Sequence, residues 1–325
     1  MLIAAAFHYV RPSFEQPHPA IFGVTPEAFR GQLAALARHA SFVSQENLLA
    51  AARGDRKLPD RAWLITFDDG LREQYDYAWP VLREMGIPAI FFANTAPIAN
   101  RKVALVHKIH LLRSQVASKD LLAHVEAAAA AQAIEIVPAD RMQAMRHYIY
   151  DSHDAATLKY LLNFGLSEQA RTTVIDHCFG ELLGWGEEEI SDALYMTPAQ
   201  LRELAESGCL GSHTHNHYSL GQLDSAKIQH EIFESLRLIR EWTGTGARTM
   251  SYPYGSREAC SAEAGRIAAG CGIELAFTME RAGLADFRQQ LFLPRCANND
   301  LPGGAAPRWS GGRIFQEMSV SCWHR

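Results

Sequence analysis

The sequence predicts an α/β fold built on parallel strands, either a βα-type barrel or an open sheet. Short apolar runs alternate with helical patterns at both ends of the chain, as parallel strands joined by crossover helices require. A length of 325 residues suits one large α/β domain carrying an insertion. Hydrophobic residues at 48% and charged residues at 21% leave enough apolar surface for a substantial core, which excludes a disordered, fibrous or low-complexity chain.

The first apolar run, residues 2–10, reads as a strand, because it lacks the basic region of a signal peptide and runs into His8 and Tyr9. Residues 26–39 follow Thr25 in an N-cap position and place Phe29, Leu33, Leu36 and Ala37 on one face, the pattern of a covering helix. Further strands are predicted at 63–68, 88–93, 209–213, 249–252, 274–278 and 292–296. Helices are predicted at 71–85, at 198–206 behind Thr197, at 225–242 and at 262–269, with Gly86 and Gly272 just past helix ends. Between residues 101 and 192 the alternation stops. That stretch is rich in Ala, Leu and Glu, includes a helix at 121–133, and shows no strand pattern. The expected organisation is a βα framework of residues 1–100 and 196–325 with an inserted helical subdomain at 101–195. The insertion would serve as a lid or substrate wall, or equally as a packing layer or dimer surface.

With 31 Lys+Arg against 36 Asp+Glu the formal charge is -5, so no global basic field exists to hold nucleic acid or an anionic membrane. No apolar run reaches the about 18 residues that a membrane helix needs. Six cysteines without CxxC spacing, in a chain large enough to fold without staples, read as reduced thiols in a cytoplasmic protein.

Three segments carry chemistry. Thr66-Phe67-Asp68-Asp69-Gly70 ends an apolar run with two adjacent carboxylates, which are costly at a buried strand end unless a cation is near. A metal ion would supply that charge, with one Asp as ligand and the other facing a bound water, and Gly70 would permit the tight turn. An Asp-Gly turn with a helix-capping carboxylate would explain the pentapeptide equally well. In Gly211-Ser212-His213-Thr214-His215-Asn216-His217, the i, i+4 spacing of His213 and His217 on a helical turn puts both imidazoles on one face, with His215 on another. Two His and Asp69 would form a metal site with positions left open for water and substrate. Ser251-Tyr252-Pro253-Tyr254-Gly255 ends a strand in a turn that can aim a backbone N–H into a cleft and stabilise an oxyanion.

Read as one site, these residues allow a mechanism of amide hydrolysis. A divalent metal would polarise water and carbonyl, Asp68 would take the water's proton, and the Tyr254 N–H would help hold the oxyanion. Zn2+ is the expected ion from two imidazoles and a carboxylate, while Co2+, Ni2+, Mn2+ and Fe2+ fit the same ligands.

In this order the three segments resemble the polysaccharide deacetylase family, also called the NodB-homology or carbohydrate esterase family 4 domain. The likeness covers the framework at both ends, roughly two-thirds of the chain, and leaves the helical insertion uncovered. It implies a deformed (β/α) barrel of about seven parallel strands, with Asp68 as catalytic base and Asp69, His213 and His217 as metal ligands. HYVRP, VHKIH, GSHTHNHY, SYPYGS and LPRCANNDLP bring it closer to a branch associated with bacterial surface-glycan and lipopolysaccharide biosynthesis. That branch implies an N-acylated sugar or glycan substrate handled in the cytoplasm; acetyl is the expected acyl group, with formyl left open because the sequence does not size the acyl pocket.

Two positions depart from the family pattern. Where many members carry an Arg before the Pro-Tyr pair to orient the base, this chain has Ser251; Arg295, ending the last predicted strand, is the expected substitute, by a bidentate contact with Asp68. A late His often supplies the acid, but the His nearest the C-terminus here is His324, so His8 is the preferred candidate. Asn299 and Asp300 are candidate sugar contacts or simply a turn, and Trp79, Trp185 and Tyr218 are candidate stacking surfaces. His107 and His110 have compatible spacing for a second metal site but no matching carboxylate in sequence, so a substrate contact fits them better. Two other readings remain: hydrolysis of a non-sugar amide or cyclic ureide on the same fold, and a catalytically silent glycan-binding protein. The oligomeric state is left open.

Overall fold

In the computed structural model, which describes all residues except 19, 138–140, 149–150, 185, 310 and 324–325, ten strands are arranged in two sheets. They are β1 (Leu2–Phe7), β2 (Tyr9–Val10), β3 (Gly23–Val24), β4 (Ser41–Phe42), β5 (Ala62–Phe67), β6 (Ala89–Ala93), β7 (Leu210–Ser212), β8 (Thr249–Ser251), β9 (Leu275–Phe277) and β10 (Cys296–Ala297). β1 and β6 are continuous apolar runs and β5 is interrupted by Thr66 alone, with every residue buried, as strands covered on both faces must be. The principal sheet runs β10-β1-β5-β6-β7-β8-β9, with β4 added at the foot of β5, and its pairings are parallel. Its two ends meet: Phe277 bridges Leu293 in parallel, the Thr278 N–H donates to Leu293 O at 2.8 Å and the Leu293 N–H to Ala276 O at 2.8 Å. The sheet therefore curls into a deformed (β/α) barrel. The last strand is shorter and later than the predicted 292–296, since Pro294 has no N–H to give a ladder.

Helices cover the barrel from sites that the sequence marks with caps. Thr25 Oγ1 accepts from the Ala28 N–H ahead of Pro26–Ala37, Thr197 and Gln200 form a capping box ahead of Pro198–Glu206, and Asp224 and Ser261 cap Ser225–Thr243 and Ala262–Gly270. The predicted helix 71–85 is interrupted by a π turn, Gln74–Ala78, before Trp79–Met85. Gln45–Arg53, closed by Gly54 at φ 87°, is a further helix that the sequence pattern did not announce. Between the sheet and these helices, Phe67 stacks on Phe91 with ring centroids 4.7 Å apart and on Phe7 at 5.4 Å. Each fully buried ring of this kind stabilises the fold by about 1.5–3 kcal/mol.

The chain divides into two compact units. One, Met1–Ser13 with Gly23–Arg101 and Asp192–Arg325, contains the barrel. The other, Phe14–Phe22 with Lys102–Ser191, is built on helices including Leu105–Gln115, Ser118–Ala131 and Glu168–Leu183. Within it Lys108 is buried, and its Nζ meets carboxylates of Asp176 and Glu187 at 2.7 Å each. Segment 14–22, distant in sequence, joins this unit: the His18 N–H donates to Ser114 O at 3.1 Å. Among the described residues no helix is long and apolar enough to cross a membrane, and all six cysteines are free.

Candidate active site

The chemistry-bearing segments leave the C-terminal ends of β5, β7 and β8, parallel strands of the principal sheet, where the chain turns and side chains can converge. Asp68 follows β5, with its N–H donating to Phe7 O at 3.1 Å, and Asp69 takes a left-handed φ of 79°. Gly70 is needed next: its φ is 65°, and a Cβ there would stand 3.0 Å from that of Ala93. Gln74, buried in the π turn, donates through Nε2 to Asp68 O at 2.6 Å and to His8 O at 2.9 Å. Gln74 opens the π turn Gln74–Ala78, a feature common at functional sites.

His213 follows β7 and donates its N–H to Ala93 O at 2.9 Å. The expected helical turn over 213–217 is absent; Thr214 and His217 are instead left-handed, at φ 66° and 63°, and this loop brings the two imidazoles together. His213 Nε2 lies 3.4 Å and His217 Nε2 3.3 Å from Asp69 Oδ1. His215 points elsewhere, its Nδ1 2.9 Å from Thr95 Oγ1. Buried Glu231, from helix Ser225–Thr243, anchors the loop by accepting from the Asn216 N–H at 2.7 Å and Asn216 Nδ2 at 2.6 Å. Asn94 Nδ2 donates to His213 O from the adjacent strand end.

The donor atoms fit a metal ion. Two ligand atoms about 2.0–2.1 Å from one zinc ion at a tetrahedral angle stand about 3.3–3.4 Å apart, and the carboxylate-to-imidazole separations here are 3.4 and 3.3 Å. Among the described residues, Asp69, His213 and His217 are the one group of His, Cys, Asp or Glu whose ligand atoms cluster this way. His213 Nδ1 sits 2.9 Å from Ser251 O, a carbonyl acceptor, so this nitrogen carries the hydrogen and Nε2 is left to bind.

Arg295 is fully buried. It grips Asp68 with two parallel bonds, Nη1 to Oδ1 and Nη2 to Oδ2, each 2.7 Å, while its Nε donates to Thr278 O at 3.1 Å. Burial pushes the Asp68 carboxyl up, but the charges of Arg295 and then His213, with the Arg295 hydrogen bonds, more than offset that and hold it down to about 2. Asp68 is therefore a carboxylate at neutral pH. His213 is likewise pushed down by burial and, more strongly, up by Asp68 and Asp69.

His8, just beyond β1 and 44% exposed, has Nε2 3.9 Å from Asp68 Oδ2. Tyr254 stands over His217, ring centroids 4.9 Å apart, at φ 63°. Among the described residues, four of the six left-handed non-glycine residues, Asp69, Thr214, His217 and Tyr254, thus belong to these segments. Such conformations cost on the order of 1–3 kcal/mol each and persist where surrounding structure enforces them.

Other candidates fall outside this cluster. Trp79 is a core ring, buried and edge-on to Phe91 at 5.9 Å. Asp300 is held by Arg281 at 2.6 Å and Arg308 at 3.0 Å, within a turn that includes Asn299. Tyr218 is 39% exposed beside His217. His107 and His110 lie in the helical unit with ring centroids 6.2 Å apart. Trp185 and His324 lie outside the described residues. Gln74, Asn94 and Glu231 are the site residues that sequence reasoning missed. Only Glu231 left a signal, a charged residue on the apolar face that Ile228 and Ile232 define.

A family model described as polysaccharide deacetylase matches residues 55–128 and 171–276. Among solved structures, the Streptococcus pyogenes deacetylase PplD in complex with acetate is similar with a TM-score of 0.57 at 15% identity, over 91% of this chain and 91% of its own. IcaB from Ammonifex degensii gives 0.54 at 17% identity, over 91% of each chain. The BpsB deacetylase domain from Bordetella bronchiseptica gives 0.53 at 18% identity, over 91% of this chain and 95% of its own. At these identities the structural likeness speaks for the fold. No curated protein sequence matches the chain.

Proposed function

Because the chain belongs to the polysaccharide deacetylase family, a carbohydrate N-deacetylase acting on an amide bond, we propose that it is a metal-dependent enzyme of bacterial surface-polysaccharide biosynthesis. Its substrate in this reading is an N-acylated sugar or glycan, with lipopolysaccharide precursors handled in the cytoplasm as the setting and acetyl, or formyl, as the acyl group. The observation that carries the reading is the coincidence of two arrangements at one barrel mouth: Asp69, His213 and His217 at metal-ligand spacing, and Asp68 held as a carboxylate by buried Arg295.

Asp69, His213 and His217 would hold the ion, zinc by its donor set, with Co2+, Ni2+, Mn2+ or Fe2+ also suited. Bound there, a divalent cation would polarise the substrate carbonyl and lower the pKa of the attacking water. Asp68 accepts that water's proton. A carboxylate held so low is a weak base, adequate for a water already made acidic. The Tyr254 N–H is assigned to the oxyanion that develops on the acyl carbonyl. His8, beside Asp68 Oδ2, is assigned as the acid that protonates the leaving amine. The buried Arg295–Asp68 pair supports an active enzyme over a silent glycan-binding scaffold, since it supplies the base orientation for which Ser251 has no guanidinium.

The test is release of acetate and formate from a panel of N-acylated nucleotide sugars and short glycans, before and after chelation, with each of the five metals restored in turn. Release that stops on chelation and returns with zinc supports the reading. Release indifferent to chelation overturns the metal dependence, and no release from any substrate, metal restored, overturns the substrate class.

A further inference from the structure

The two oxygens of Asp68 are not equivalent. Oδ1 accepts from Arg295 Nη1 at 2.7 Å and from Ser251 Oγ at 2.9 Å. Oδ2 accepts from Arg295 Nη2 at 2.7 Å and otherwise faces His8, 3.9 Å away and 44% exposed. With two strong donors, Oδ1 has its in-plane lone pairs engaged, whereas Oδ2 keeps one toward the open side.

Ser251 also reaches the metal group. Its Oγ lies 2.6 Å from His213 Nδ1, and its own carbonyl 2.9 Å from the same nitrogen. A hydroxyl has one hydrogen, here directed at Asp68, so toward His213 the oxygen accepts. The side chain is fully buried at the end of β8, whose strand pairs with β7 and β9 on either side, so its position is set by the barrel.

We propose that Ser251 is a positioning residue that joins the base to a metal ligand: through one hydroxyl it fixes His213 with Nε2 presented to the ion and engages Asp68 Oδ1, leaving Oδ2 as the oxygen that takes the proton. This rests on the metal-dependent reading above. Without the hydroxyl, both Asp68 oxygens would have one guanidinium donor each and His213 would keep only the carbonyl of residue 251. Outer-shell partners of this kind change metal affinity or activity by about 10–100-fold.

The experiment compares wild type, Ser251→Ala, which removes a single atom, and Ser251→Thr, which keeps the hydroxyl. Zinc affinity is read by competition with a chromophoric chelator, and kcat and KM from acyl release on the best substrate of the panel. Ser251→Ala is expected to lose about tenfold or more in zinc affinity and in kcat with KM nearly unchanged, and Ser251→Thr to retain most of both. Unchanged affinity and kcat in Ser251→Ala, or equal losses in Ala and Thr, would overturn the proposal. If wild type neither binds zinc nor releases an acyl group, the metal-dependent reading itself fails. The bridge is then decided by the His213 Nδ1–H proton resonance in the metal-free chain: movement upfield in Ser251→Ala supports it, and an unmoved signal overturns it.

Discussion

Replacing Arg295 with Met should destabilise the barrel in a way that depends on pH. The guanidinium is fully buried and makes two 2.7 Å bonds to an Asp68 that is itself buried. Opposite charges about 4 Å apart at an effective dielectric near 20 attract by about 4 kcal/mol, and breaking a buried pair by removing one partner costs about 3–5 kcal/mol. In wild type, a carboxyl held at about 2 against an unfolded value of about 3.9 contributes roughly 2.5 kcal/mol, present above pH 4 and lost as pH falls through 2. In Arg295→Met the guanidinium no longer opposes burial, so the Asp68 carboxyl rises above its ordinary range. Its charged form then costs stability at pH 7, and protonation relieves that cost. Scanning calorimetry of the chelator-stripped proteins should show the barrel transition lowered by roughly 6–20 °C at pH 7, with a smaller gap at pH 4. A gap below roughly 2 °C at pH 7, or one equal at both pH values, would show that the Arg295–Asp68 pair does not hold the barrel in this way.

Other perturbations test the site's parts. Asp69→Asn removes the carboxylate charge beside two imidazoles 3.4 and 3.3 Å away; zinc affinity by chelator competition should fall by more than the about 10–100-fold that an outer-shell change costs, and a wild-type value would reject Asp69 as a ligand. Glu231→Gln turns an amide hydrogen pair toward the Asn216 donors it now accepts from, which should cost about 1–3 kcal/mol and weaken zinc binding, both read by thermal shift with and without zinc. Gly211→Ala would put a Cβ 2.5 Å from the Phe92 ring and 2.8 Å from Thr249 Oγ1. Phe92 is itself wedged against Phe277 and beneath Arg295, so overpacking should cost about 1–3 kcal/mol in denaturation and displace His213 two residues on.

Much of this arrangement is legible in the sequence where structure is local. β1, β6 and, but for Thr66, β5 are apolar runs, and Thr25 and Thr197 stand at helix starts they do cap. Asp68, Asp69, His213 and His217 are visible because polar, metal-suited residues directly follow such runs, and Arg295 because it ends the last one. What escapes is set by contacts distant in sequence. The spacing of His213 and His217 suggests a helical turn, but hydrogen bonds from Thr95 to Thr214 O and from Ala96 to His215 O, with Glu231 on Asn216, enforce a left-handed loop instead. The π turn at Gln74–Ala78 has no periodicity of its own within a helical pattern, so Gln74 stays hidden. Segment 14–22 joins the helical unit through partners such as Ser114, which no local pattern foretells. Two-residue strands such as β2 and β3 are too short to alternate visibly.

If Asp68 acts as base beside a metal held by Asp69, His213 and His217, proton transfer and metal binding are separable by mutation. Metal content and acyl release, measured side by side on wild type and Asp68→Asn, test it most directly. One zinc per chain is expected in both proteins, with release by wild type alone. Release undiminished in Asp68→Asn, or wild type purified and reconstituted without retaining metal, would contradict it.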